Sequence, residues 1–140
     1  MQQRKSINLR CDNDSAPPIK QFWDKLHSYA QPPTMLDINY APHITLGIYQ
    51  DLEPALLVET AKQLAAQHDT AGPLTLNFTR LEVFIAPEQL TVYAAPEPCA
   101  ALDYLHHSLH QLIDQQHSHI HYQPAQWVPH CTLALSVSHL

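Results

Sequence analysis

Ala41-Pro42-His43-Ile44-Thr45-Leu46-Gly47 and Val128-Pro129-His130-Cys131-Thr132-Leu133-Ala134 are one segment written twice in the same chain. Even in a chain with eleven histidines, two independent Pro-His-x-Thr-Leu matches arise by chance only about once in tens of thousands of such sequences, far below the usual false-positive rate of short motifs. The proline before each histidine disfavours a helical conformation at the residue preceding it, so both segments enter an extended stretch. On a strand, residues two apart share a face at a spacing of about 6.6 Å. His43, Thr45, Gly47 and Tyr49 therefore share one face, with Ile44, Leu46 and Ile48 behind them. His130, Thr132, Ala134 and Ser136 repeat the pattern, with Cys131, Leu133, Leu135 and Val137 directed to the core. Each strand presents an imidazole beside a hydroxyl, followed by a residue, Gly47 or Ala134, small enough to leave space.

Working outward, residues 4–11 alternate, with Ile7, Leu9 and Cys11 apolar, and predict a half-buried strand. Ser15 offers an N-cap ahead of Pro17 and Pro18, and Ile19, Phe22, Trp23, Leu26 and Tyr29 follow at helical spacing until Pro32 and Pro33. Residues 43–49 predict a second strand. Residues 52–68 predict a helix with Leu56, Leu57, Leu64 and Ala65 inward and Gly72-Pro73 beyond its end. Residues 74–85 and 90–95 read as strands. A third helix opens at Pro98, with Leu102, Leu105, Leu109, Leu112 and Ile113 in one stripe, and residues 130–137 close the pattern as a strand. This order predicts an α+β domain with a largely antiparallel sheet system and no linker dividing it.

The 140 residues suit one domain with a real core, and 45% apolar against 14% charged residues argues for a packed globule. A net charge of −6, with five of the seven basic residues in the first 25 positions, argues against binding duplex nucleic acid. No run is long enough for a membrane span, and the polar start lacks the apolar core of a signal peptide. Three widely spaced cysteines, Cys11, Cys99 and Cys131, fit free thiols in a reducing cytoplasm.

Paired imidazoles beside hydroxyls suit displacement at phosphorus. One neutral histidine accepts a proton from the attacking oxygen, one protonated histidine gives a proton to the leaving oxygen, and no metal or cofactor is needed. The threonine hydroxyls can donate to the non-bridging oxygens. Tyr49, on the face of His43, is the best candidate among Tyr49, Phe84, Tyr93, Tyr122 and Trp127 for stacking on a base. Arg10, on the polar face of the first strand, is a candidate phosphate contact.

The paired His-x-Thr segments, together with the stretch from Tyr122 through Trp127 to Ala134, resemble the 2H phosphoesterase superfamily, in particular its 2′-5′ RNA ligase-like branch. The resemblance implies a bilobal fold, two small antiparallel sheets related by a pseudo-two-fold, motif strands lining a central cleft and helices packed outside. It implies action on 2′,3′-cyclic phosphates or 2′-5′ linkages of RNA ends or nucleotides, with His43 and His130 catalytic and Thr45 and Thr132 binding phosphate. Relatives commonly continue past the second motif with a further helix and strand. Against that pattern the end at Leu140 predicts a second lobe that is trimmed, covered differently or completed by a partner chain, so that the protein is a monomer or a dimer. Two other readings stand beside the enzyme: a nucleotide- or phosphate-binding module with weak turnover, and a metal-binding protein organised by histidines 106–121. For the latter, His106, His107, His110 and the alternating His117, His119 and His121 match no recognised metal spacing, and solvated side chains in a polar loop are the expectation.

Overall fold

The first motif lies on β2 (His43–Tyr49), which pairs with β1 (Lys5–Arg10) in a two-stranded antiparallel sheet. The computed structural model describes residues 4–68 and 73–138. The helices are α1 (Ala16–Leu26), the one-turn α2 (Met35–Ile38), α3 (Pro54–His68) and α4 (Ala100–Leu112). A second antiparallel sheet has the order β3 (Phe78–Ile85), β4 (Gln89–Pro96), β5 (Cys131–Ser138). The architecture is thus α+β with two small antiparallel sheets. Among the described residues no helix is long and apolar enough to cross a membrane. Gly72, read as a helix-end signal, lies outside the described residues.

The chain forms two compact units, each gathered from distant segments: Met1–Asn8, Thr45–Asn77 and Glu97–Pro129 in the first, Leu9–Ile44, Phe78–Pro96 and His130–Leu140 in the second. In the first unit α3 packs on α4. The buried residues of α3 are Leu57, Thr60 and Leu64, so the inward stripe differs from the expected one. Leu56 is 48% exposed and Ala65 also faces out. Thr60 fits inside because its hydroxyl donates to the Leu56 carbonyl at 2.8 Å, which satisfies a group that burial would otherwise penalise. On α4 the expected Leu102, Leu105 and Leu109 are buried, but so are His106 and His110.

These two imidazoles correct the expectation of solvated histidines. His106 donates Nε2–H to the Tyr122 carbonyl at 2.7 Å, and its ring lies flat on the Trp127 indole with centroids 3.8 Å apart. His110 donates Nε2–H to the Leu46 carbonyl at 3.0 Å. Partnership with a carbonyl fixes the Nε2–H tautomer in each. Nor is the segment after α4 a solvated loop. Tyr49 bridges to Ser118, Gln50 N–H donates to the His117 carbonyl at 3.0 Å, and His119 N–H donates to the Ile48 carbonyl at 2.8 Å.

In the second unit α1 packs on β5. Trp23, only 1% exposed, belongs to that unit's core, which also holds the buried Ala16, Met35, Ala94, Cys131 and Leu133. Ser15 stands at the N-cap of α1 without a side-chain bond to the helix. Its own N–H donates instead to Asp12 Oδ1 at 3.1 Å. The short α2, absent from the sequence reading, is held by a capping box in which Thr34 and Asp37 exchange side-chain-to-backbone bonds. The strict alternation expected along residues 130–137 fails after Leu133. Ala134 is buried at 3%, Ser136 has a positive φ of 55°, and the β4–β5 register shifts around Val92. The strand bulges there and re-aims its side chains.

Burial holds His106 well below the ordinary histidine range, at about 4, and lowers His110 as well. A folded-state pKa below the unfolded value near 6.5 means that the unfolded chain binds more protons in the interval between them. Stability from the neutral histidines is therefore complete above pH 6.5 and lost as pH falls toward 4. For His106 the linkage is on the order of 3 kcal/mol. We expect the urea midpoint to be flat above pH 7 and to fall steeply between pH 6.5 and 4, with a shallower fall in His106→Gln.

Candidate active site

On the first motif strand His43 and Thr45 are half-buried while Ile44 and Leu46 are 3% and 1% exposed. The polar face and the core face fall as the alternation requires. The Ala41 carbonyl accepts a bond from His43 Nδ1 at 2.9 Å. With Nδ1 committed to a carbonyl, Nε2 is the nitrogen left for proton exchange.

On the second motif His130 is half-buried and meets two aromatic rings. Its centroid lies 5.0 Å from Phe84 and 5.5 Å from Tyr93, while Phe84 and Tyr93 stack on each other at 4.2 Å. Those three distances put the imidazole beside the stack, since a ring over one outer face would be far from the other. The Tyr93 hydroxyl donates to Glu82 Oε2 at 3.1 Å, and the other carboxylate oxygen pairs with Arg80 at 3.0 Å. Burial, with the carboxylate's hydrogen bond and charge, raises the Tyr93 phenol above its ordinary pKa. A polar anchor thus fixes the ring that borders His130.

Cys131, in the second motif, is a core residue. It is 4% exposed, and burial pushes its thiol up to about 11 against the opposing effect of a hydrogen bond from the His43 backbone. A thiol so raised stays protonated and acts as a small core hydrophobe, not a nucleophile.

His43, His130 and Thr132 thus belong to the second unit, and Thr45 to the first. The Thr45 hydroxyl donates to Asn8 Oδ1 at 2.7 Å, and its backbone carbonyl accepts the Trp127 indole N–H at 3.1 Å. At the matching position of the second motif, the Thr132 carbonyl accepts the Trp23 indole N–H at 3.0 Å. The chain has two tryptophans, and both donate to the same backbone atom of the repeated segment. Sequence reasoning missed this pairing, because Trp127 lies 82 residues from Thr45 and Trp23 lies 109 from Thr132, with no common spacing to detect. It also missed Asn8, whose only signal was its place on the polar face of β1.

Tyr49 shares the face of Gly47, as expected, but is 1% exposed. Its phenol folds back over Gly47, so that a Cβ there would lie 2.5 Å from Oη. The space that Gly47 leaves is filled by this ring, and burial raises the phenol pKa. Buried in this way, the ring offers no open face for stacking. Arg10 is exposed, with Nη2 bonded to Asn13 Oδ1 at 3.3 Å. Among the described residues no three His, Cys, Asp or Glu side chains gather as a metal site.

Residues 41–139, which include both His-x-Thr segments, match the family model of the 2′-5′ RNA ligase superfamily. The chain belongs to this superfamily. No curated protein and no solved structure matches it. Membership in the 2′-5′ RNA ligase superfamily supports a 2H phosphoesterase-type fold and points to phosphoesterase or ligase chemistry.

Gly47→Ala should lower the unfolding free energy by about 1–3 kcal/mol through overpacking against the Tyr49 ring. Urea denaturation checks this, and in a Tyr49→Val background the same Gly47→Ala change should cost markedly less than in the wild-type chain.

Proposed function

We propose that the protein is a metal-independent phosphodiesterase that opens 2′,3′-cyclic phosphates or cleaves 2′-5′ linkages of RNA ends or nucleotides. The observation that supports this most is that His43 and His130 fall in one compact unit of a chain whose superfamily match spans both His-x-Thr segments.

In this reading one histidine is neutral and takes the proton of the attacking oxygen, while the other is protonated and supplies the leaving oxygen. The two have exchanged protonation states when the step is complete. His43 acts through Nε2, because Nδ1 is held by Ala41. Thr45 and Thr132 donate hydroxyl bonds to the non-bridging oxygens, where negative charge grows in the transition state. For Thr45 the phosphate oxygen replaces Asn8 as acceptor of the same proton. Arg10, an exposed cation on β1, is proposed as a contact for a neighbouring phosphate.

The purified protein should open a nucleoside 2′,3′-cyclic phosphate in the presence of EDTA, with a bell-shaped dependence of kcat on pH. His43→Ala and His130→Ala should each lower kcat at least 100-fold, within the usual range for general acid–base groups. Wild-type turnover in either variant contradicts the assignment.

A further inference from the structure

The two indole–carbonyl bonds reach beyond the packing of tryptophan. In a repeat, what recurs beyond the motif itself is either chance or part of what the motif needs. Here the recurring feature is a single bond: an indole N–H to the carbonyl of the motif threonine, at 3.1 Å in one copy and 3.0 Å in the other. The donors have different origins. Trp23 comes from α1 in one unit, and Trp127 follows a 3-10 turn (Ile120–Tyr122) in the other. The same acceptor is therefore reached twice by unrelated segments of chain.

We propose that Trp23 and Trp127 are positioning residues, each setting the direction of a phosphate-binding threonine hydroxyl through that residue's own carbonyl. The proposal rests on the reading of Thr45 and Thr132 as phosphate ligands. The carbonyl carbon and Cβ are both attached to Cα. Pinning the oxygen therefore fixes the peptide plane and the direction of the Cα–Cβ bond that carries Oγ, leaving only χ1 to choose among staggered positions. β5 is the end strand of its sheet, where a carbonyl not paired to a neighbouring strand needs some other donor. An indole suits this task. It has one N–H, no acceptor and no rotatable bond between donor and ring. Each ring is itself held: Trp23 is 1% exposed, and Trp127 lies on His106 with an interplanar angle of 3°.

A small change in a ligand's direction affects the transition state more than ground-state binding, because the non-bridging oxygens must be met where they end, not where they start. Trp23→Phe and Trp127→Phe remove the N–H and keep an aromatic ring. Each is expected to lower kcat about ten-fold with KM within two-fold of wild type, and the double variant to lower it further. In the wild-type protein, titration with inorganic phosphate is followed in a ¹⁵N spectrum, where two indole N–H signals are expected. Both should shift with the same midpoint as the Thr45 and Thr132 amides. A purely structural role would leave them unmoved.

If the motif amides respond while both indoles stay fixed, the positioning role is overturned and the phosphate site stands. Unchanged kcat in both folded variants has the same meaning. If no motif amide responds to phosphate, the phosphate-site reading fails and the positioning role with it. Should a variant not fold, the wild-type titration decides alone.

Discussion

A threonine in the middle of a strand must satisfy its backbone and still keep its hydroxyl in a usable direction, and this protein meets the constraint twice with an indole N–H. Each such bond contributes only about 1 kcal/mol to stability. Its larger effect is geometric, because it closes off one edge of the motif strand and ties that strand to an element with its own core. Through the buried Trp23 the second motif is joined to α1. Through Trp127 the first motif is joined to α4 by way of the buried His106. The motif face and the hydrophobic core are therefore coupled at one atom in each repeat.

The unusual histidine content acquires two meanings in this frame. Some histidines belong to the motifs and stand half-exposed. Others, on α4, are structural: each donates from Nε2 to a backbone carbonyl and is buried in the neutral form. The distinction is environmental, since the ring is identical. A histidine facing a carbonyl in an apolar setting loses its charge.

Much of the fold was legible because it rests on periodicity. β2 begins and ends where the alternation did, and α4 carries its leucine stripe. Departures occur where a local interaction overrides the pattern. On α3 the buried positions are Leu57, Thr60 and Leu64, with Thr60 bonded to its own helix, while Leu56 and Ala65 face solvent. Tyr49 is buried because Gly47 has no Cβ to keep its ring away. The bulge around Ser136 depends on a backbone conformation that composition does not encode. As for the site, the histidines and threonines were readable as a repeat, since a repeat is a property of sequence. Asn8, the Phe84–Tyr93 stack and the two indole donors were not. They are brought to the motifs by tertiary packing across separations that leave no periodic trace.

The most direct measurement of the central claim, that the two motifs form one acid–base site on a single phosphate, is the regiochemistry of product. A nucleoside 2′,3′-cyclic phosphate has two candidate leaving oxygens, and a fixed acid can protonate only one of them. Followed by ³¹P NMR, the reaction should give a single phosphomonoester isomer, and His43→Ala and His130→Ala should each suppress it. A mixture of the 2′- and 3′-phosphates at the ratio of uncatalysed hydrolysis, or no conversion at all, would contradict the account.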